Sequence, residues 1–229
     1  MMKNLTLIFF IFSLLSYSQN NFTSARSIEI SENNYEEQLR SSIVKNIELT
    51  NIGPSVMSGR VTDLEVNPNN PTEFYVAYAS GGLWHTKNNG TTFSPIMDNS
   101  MTQNIGDFAI DWKSNSIYVG TGESNSSRSS YPGIGILKSN DNGSTWSNIG
   151  LRDSHHISRV LVNPNNENHI VVAVIGHLYT KNTQRGIFTS FDNGQTWKKS
   201  LFINDNTGAI DLVVDPENFD IQYAASWER

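Results

Sequence analysis

The chain has no cysteine. That excludes disulfides, thiolate nucleophiles, cysteine-based zinc sites and iron–sulfur clusters. Basic charge is also scarce: 16 Lys plus Arg stand against 22 Asp plus Glu, for a net charge of −6, with no basic block. A nucleic-acid surface needs Lys and Arg clustered against phosphate, so no nucleic-acid partner is expected. The phosphate loop, the dinucleotide fingerprint and the G-x-S-x-G elbow are all missing, which removes the usual nucleotide and serine-hydrolase chemistries. Histidines show no H-x-x-x-H spacing. His155 and His156 are adjacent and would point apart on a strand, while His85, His169 and His177 are far apart in sequence, so no metal and no cofactor is expected. One long apolar run exists, Leu5 to Leu15, preceded by Lys3 and followed by Ser16-Tyr17-Ser18. Eleven residues are too few to cross a bilayer, and small residues at −3 and −1 suit cleavage after Ser18. Residues 1–18 therefore read as a signal peptide, and the protein is expected to be secreted or held in the cell envelope (periplasm or surface), without stable membrane insertion.

Asn and Ser are abundant, at 28 each, which favours turns and polar loops over long helices. Some of these residues recur in register. Thr86-Lys87-Asn88-Asn89-Gly90-Thr91-Thr92-Phe93, Ser139-Asn140-Asp141-Asn142-Gly143-Ser144-Thr145-Trp146 and Ser190-Phe191-Asp192-Asn193-Gly194-Gln195-Thr196-Trp197 are versions of one box, with glycines 53 and 51 residues apart. A second series interleaves with it: Val61 to Pro68, Phe108 to Trp112, Val160 to Pro164 and Ile210 to Pro216. Two interleaved signatures at one period define a repeat protein.

Each unit reads as four short strands, in the first Val61–Val66, Glu73–Ala79, Gly82–Thr86 and Thr92–Ile96. Asn-Gly between β-formers signals a turn with positive φ at both residues. A period of about 50 residues built from four strands predicts an all-β chain, an incomplete β-propeller of about three and a half blades, whose faces are buried only by stacking. The expected blades are 59–98, 105–150, 157–203 and a shortened 208–229 within a propeller region 51–229. In the lead-in, 19–50, a short helix is predicted over Asn33–Lys45, capped by Asn33 or Asn34, with Tyr35, Leu39 and Ile43 as its apolar stripe. Ile47-Glu48-Leu49-Thr50 suits a ring-closing strand.

The box residues read as structural. Asn88, Asp141 and Asp192 accept backbone N–H groups across the turn, Gly90, Gly143 and Gly194 supply positive φ, and Ser139 and Ser190 open the later boxes. Phe93, Trp146 and Trp197 are expected to cover their hairpins, and Thr92, Thr145 and Thr196 to begin the outer strands. A calcium loop would need about six to eight oxygens, more than one Asp and one Asn provide.

The pattern S-x-D-x-G-x-T-W resembles the Asp-box, or bacterial neuraminidase repeat, shared by sialidases, xyloglucan-cleaving propellers, sortilin-type receptors and plant photosystem assembly factors. With Ile52-Gly53-Pro54, Gly59-Arg60 and Gly81-Gly82-Leu83-Trp84 ahead of the first box, the stretch from Ile52 to Arg229 is most similar to secreted bacterial sortilin-like or glycosyl-hydrolase-like repeat proteins. The first box departs from the pattern at Thr86, Asn88 and Phe93. The resemblance to xyloglucan-cleaving enzymes implies an acid two positions before the glycine pair, where this chain has Ala79. The resemblance to sialidases implies an arginine triad, for which Arg60 and Arg159 are too few.

Propeller ligands bind where loops converge over the central channel, which makes residues beside the innermost strands the candidates. Arg60, directly before the first such strand, suits a carboxylate or sugar hydroxyls; Gly81 and Gly82, His177 and Trp227 complete the candidate ligand surface, with Trp227 as a stacking platform. Glycoside hydrolysis needs two carboxylates about 5–9.5 Å apart. Asp63, Asp107, Asp111, Glu123, Asp211 and Glu228 lie near strand ends. Glu123, after Gly122 at the start of an exposed polar insertion, is the first candidate catalytic residue, and Asp107 the second. The expected partner is an extracellular polysaccharide or a peptide or protein, with hydrolysis one possible activity of a full-length parent. The alternative is a non-catalytic sortilin-like binding or assembly module.

Overall fold

A computed structural model describes residues 22–47, 59–125 and 130–228. The expected signal peptide, Glu48 to Thr50 of the closing strand, Ile52-Gly53-Pro54 and positions 126–129 of the polar loop lie outside these residues. Three antiparallel four-stranded sheets follow one another in chain order. The first contains β1 (Val61–Val66), β2 (Phe74–Tyr78), β3 (Gly82–Thr86) and β4 (Ser94–Pro95); the second β5 (Ile105–Asp111), β6 (Ser116–Thr121), β7 (Ile136–Ser139) and β8 (Ser147–Asn148). The third contains β9 (Ile157–Asn163), β10 (Asn166–Val174), β11 (Gly186–Ser190) and β12 (Lys198–Leu201), and β13 (Thr207–Val214) pairs with β14 (Gln222–Glu228). This is an incomplete β-propeller of three blades and half of a fourth. Among the described residues no helix is long and apolar enough to cross a membrane.

The cores lie between blades. On β10, Ile170, Val172 and Val174 pack with Tyr118, Ile136 and Val160 toward the second blade, whereas Val171 and Ala173 pack with Ala209 and Leu212 toward the fourth. The strand's period of two thus feeds two separate cores. Leu83, Phe108, Ile117 and Val119 join the first blade to the second. On the outward face of the first blade, Val61 and Leu64 are exposed, as are Val213 and Tyr223 on the last pair.

The lead-in helix, α1, spans Ala25–Ser41, earlier than the predicted Asn33–Lys45. Ser24, not Asn33 or Asn34, is the N-cap and accepts the Ser27 N–H, and the backbone becomes extended at Ser42. Its predicted stripe, Tyr35, Leu39 and Ile43, is exposed. The helix docks instead through its beginning: Phe22 packs on the His177 ring at 4.7 Å, and Glu32 accepts from Arg152 Nη1 at 2.6 Å.

The box is the loop joining the third and fourth strands of each blade, longer than a two-residue hairpin turn. In each copy the Asn-Gly pair has φ of 56–60° and 79–86°, as its sequence requires. Asp141 accepts Thr145 N–H at 2.9 Å, Thr145 Oγ1–H at 2.6 Å and Ser139 Oγ–H at 2.8 Å, while Ser139 Oγ accepts the Gly143 N–H at 2.8 Å. Asp192 repeats the arrangement with Thr196 and Ser190. These bonds, led by those from the threonine, hold both carboxyls below the ordinary aspartate value. They also tie Thr145 and Thr196 into the loop, as Asn88 does Thr92 by accepting its N–H and donating to its Oγ1, so the outer strands begin at Ser94, Ser147 and Lys198 and not at the threonines. The tryptophans do more than cover their own hairpins. Trp146 Nε1 donates to the carbonyl of Ile96 at 3.0 Å, and Trp197 Nε1 to that of Ile149 at 2.8 Å, each in the preceding blade's outer edge. Phe93 has no N–H to donate and packs edge-on against Phe74 of its own blade.

The box glycines differ accordingly. A Cβ at Gly143 would lie 2.6 Å from the Ile96 carbonyl oxygen, and one at Gly194 2.5 Å from Ile149 Cδ1, whereas at Gly90 the nearest atom is 3.5 Å away. Gly90→Ala is therefore expected to cost only the left-handed backbone penalty, about 1–2 kcal/mol. Gly143→Ala and Gly194→Ala add an interblade clash and are expected to cost about 2–4 kcal/mol. Urea unfolding of the three variants checks this ranking, and equal losses would contradict it.

Candidate functional site

The innermost strands share one irregularity. Each carries a β-bulge near its start, placing Thr62, Gly106, Ser158 and Ile210 out of register. The next residue of each strand is then structurally equivalent across the blades: Asp63 faces Ala77, Asp107 faces Gly120, Arg159 faces Ala173 and Asp211 faces Ala225. Bulges re-aim side chains, and here they set three acids and one base into a single layer. A cavity of about 450 Å3 opens on it, lined by Thr62, Gly106, Ser158, Arg159, Ile210 and Asp211 among others.

Arg159 links the layer. Its Nε donates to Asp211 Oδ1 at 2.8 Å and its Nη1 to Asp107 Oδ1 at 3.2 Å. Asp107 Oδ2 accepts the Val160 N–H at 2.7 Å, tying the second blade to the third. Burial, with 3% of the residue exposed, and then the neighbouring Asp63 charge push Asp107 well above the ordinary aspartate range, against the opposing pull of Val160 and Arg159. Glu65, two residues along β1 from Asp63, is raised to about 7 by burial and by the same Asp63 charge. By contrast, half of the Asp211 side chain is open.

Arg60 and Glu123 form a second pair at the same end of the inner strands. Arg60 Nε donates to Glu123 Oε1 at 2.9 Å, and Nη2 donates to the same oxygen. Glu123 is not the exposed loop acid expected from sequence: it is 1% exposed, its N–H bonds the Tyr131 carbonyl, and its own carbonyl accepts from His156 Nδ1. The turn at Gly122, with φ of 87°, carries the chain inward (a Cβ there would meet the His155 carbonyl oxygen at 1.8 Å). Glu123 Oε2 is buried and has no hydrogen-bond partner. Trp227 borders a neighbouring cavity of about 430 Å3 with Ser124, Asn125 and Ile210.

The structure therefore brings together Arg60 with Glu123, Asp107 with Arg159 and Asp211, and Trp227 with the loop after Glu123. It leaves Gly81 and Gly82 in the β2–β3 turn, where the Gly81 carbonyl accepts Trp84 Nε1–H and the Gly82 N–H bonds Gln103. Asp111 sits at the far end of β5, bonding Ser114 and the Lys113 N–H.

His177 belongs to another cluster. Residues 154–156 are loop, not strand; His155 takes φ of 56°, and its ring meets that of His156 edge-on at 6.4 Å and stacks on that of His177 at 3.6 Å. Asp153 Oδ1 lies 3.4 Å from His177 Nε2. Burial lowers the pKa of all three neighbouring histidines, His156 to about 4. Arg185, fully buried, holds the loop by donating to the carbonyls of Ile175, His177 and Thr180. Arg185 and the Asp153–His155–His177 grouping escaped sequence reasoning, because the partners are joined by loop packing and no periodicity marks them.

No family model and no curated protein matches the chain. Solved structures do. An ancestral GH74 enzyme superposes with a TM-score of 0.60 at 20% identity, covering 77% of this chain and 23% of that one. The GH74 xyloglucanase from Xanthomonas campestris gives 0.53 at 16%, covering 72% and 26%. YCF48 bound to D1 peptide gives 0.48 at 12%, covering 78% and 50%. The chain spans about a quarter of the length of each GH74 protein, and at these identities the first two likenesses establish the β-propeller fold.

Glu65 generates a pH prediction. Its pKa is raised in the folded state, so the fold favours the protonated form, and stability is lost as pH rises from the ordinary 4.5 to about 7. Glu65→Gln is expected to leave Tm unchanged at acid pH and to raise it by about 2–4 °C above neutrality. Thermal melts across that range check it, and a Tm gain confined to acid pH would contradict it.

Proposed function

We propose that this chain is part of an exported Asp-box propeller protein, of the sortilin-like and glycosyl-hydrolase-like kind, that binds a neutral extracellular polysaccharide on the channel face. The observation that carries the reading is the bulge-aligned layer of Asp63, Asp107, Arg159 and Asp211, of which Arg159 and Asp211 line a polar cavity next to that of Trp227. Carboxylates accept hydrogen bonds from sugar hydroxyls, and an indole face stacks on a sugar ring. Arg159 and Arg60 are both engaged by acids, so the layer is acid-rich overall and repels uronate or sialate polymers. The propeller likeness to GH74 enzymes, including a xyloglucanase, is compatible with a neutral glucan ligand.

Binding is favoured over hydrolysis by this layer. Both Asp107 oxygens are engaged, Oδ1 by Arg159 Nη1 and Oδ2 by the Val160 N–H, so the most buried acid of the layer has no oxygen open to a substrate. Asp107 holds its neighbours in place, Glu123 orients Arg60, and Asp211, Arg159 and Trp227 face the ligand. Any hydrolysis by the whole protein draws on acids elsewhere in the ring.

Affinity electrophoresis of the chain through gels containing xyloglucan, mixed-linkage glucan or polygalacturonate tests this. Retardation is expected in a neutral glucan alone, with binding weakened about tenfold, near 1.4 kcal/mol, by Trp227→Ala or Asp211→Ala. Retardation by polygalacturonate, or binding to peptides and to no glycan, would overturn the reading.

A further inference from the structure

We propose that Asp153, His155 and His177 form a binding site for a divalent transition cation, zinc foremost, beside the cavity between α1 and the third blade. The site is separate from the channel layer and does not depend on the polysaccharide reading. One ligand atom from each residue lies within 4.8 Å of the others, and His177 Nε2 and Asp153 Oδ1 are 3.4 Å apart. Zinc bonds of about 2.0–2.1 Å put neighbouring tetrahedral ligands about 3.3–3.4 Å apart, so the His177–Asp153 edge already has the required length.

Three further observations point the same way. First, His177 Nε2 is buried, on a residue 1% exposed, and Asp153 Oδ1 stands 3.4 Å away without completing a hydrogen bond. A buried ring nitrogen held this loosely is costly unless something else satisfies it.

Second, the other nitrogen of each ring has a hydrogen-bond partner, as in ligating histidines. His177 Nδ1 bonds Thr180 Oγ1 at 2.7 Å, and His155 Nε2 lies 3.1 Å from the Thr23 carbonyl. A carbonyl only accepts, so His155 Nε2 carries the proton and Nδ1 keeps its lone pair.

Third, the loops presenting the ligands are cross-braced. Asn182 Oδ1 accepts the His177 N–H at 3.0 Å while its Nδ2 donates to the Asp153 carbonyl at 2.9 Å, and Arg185 donates to the carbonyls of His177 and Thr180.

Two imidazoles and one carboxylate suit zinc, cobalt, nickel or copper over magnesium or calcium. Three protein ligands leave a fourth position for water or a small ligand, and a cavity of about 550 Å3, lined by His155, His177, Phe22 and Tyr179, adjoins them. The His155 and His177 rings stack with an interplanar angle of 21°, so ligation requires His155 to turn about its side-chain torsions.

Calorimetric titration of the chelator-treated full chain with zinc chloride, paired with the visible spectrum of added cobalt(II), tests the site. One ion per chain is expected, with intense cobalt bands of a four-coordinate site and a raised Tm. Asp153→Asn, whose side chain is partly exposed, and His155→Gln are expected to weaken binding about 10–100-fold while circular dichroism stays native. His85→Gln and His169→Gln are expected to bind as the parent does. Absence of stoichiometric binding, or affinity and cobalt spectra unchanged in Asp153→Asn and His155→Gln, would overturn the proposal.

Discussion

Everything else in this chain depends on the contact by which one blade grips the one before it. A four-stranded sheet with two apolar faces has no stable existence alone, and the box supplies the joint. Its Asp and Ser organise a loop, its glycine lets that loop lie against the previous blade, and its indole N–H is satisfied by that blade's carbonyl at Ile96 or Ile149. The apolar cores between blades supply most of the cohesion. The boxes of the second and third blades add a fixed hydrogen bond to those contacts. The inner strands lie side by side with matching bulges.

That alignment turns a backbone irregularity into a site. A bulge on a single strand would only re-aim one side chain. Repeated on four adjacent strands, it sets positions 63, 107, 159 and 211 in one layer, where any charge is felt by its neighbours. Crowded carboxylates in a poorly hydrated layer cannot all ionise freely. Arg159 neutralises part of the charge, and burial together with the Asp63 charge raises the Asp107 pKa well above the ordinary aspartate value. The scaffold thereby leaves Asp211 and the Arg159 edge partly exposed while Asp107 bonds the second blade to the third.

The blades were legible in the sequence because they are written twice, once in the boxes and once in the inner-strand series. Asn142-Gly143 and Asn193-Gly194 announce left-handed backbone, which local sterics dictate. What Trp146 and Trp197 reach was not legible, since the acceptors lie 50 and 48 residues earlier. The same limit hid the layer's chemistry: Asp107 and Arg159 were visible as residues, but their shared layer is a product of register. The helix was misplaced because Ser24, a good cap, precedes a stretch poor in strong helix formers, while the Asn33 stripe that drew attention buries nothing. Glu123 looked like a loop acid because the inward turn at Gly122 is set by packing against His155, in the next blade's approach.

The central claim is that burial and the neighbouring Asp63 charge hold the Asp107 carboxyl of the inner layer well above the ordinary aspartate range, as the price of the layer's acid density. Carbon-13 NMR titration of the aspartate carboxyl carbons addresses it directly. The account predicts one aspartate that titrates far above the ordinary range and whose signal disappears in Asp107→Asn. All aspartates losing their protons in the ordinary acid range, with the fold intact, would contradict it.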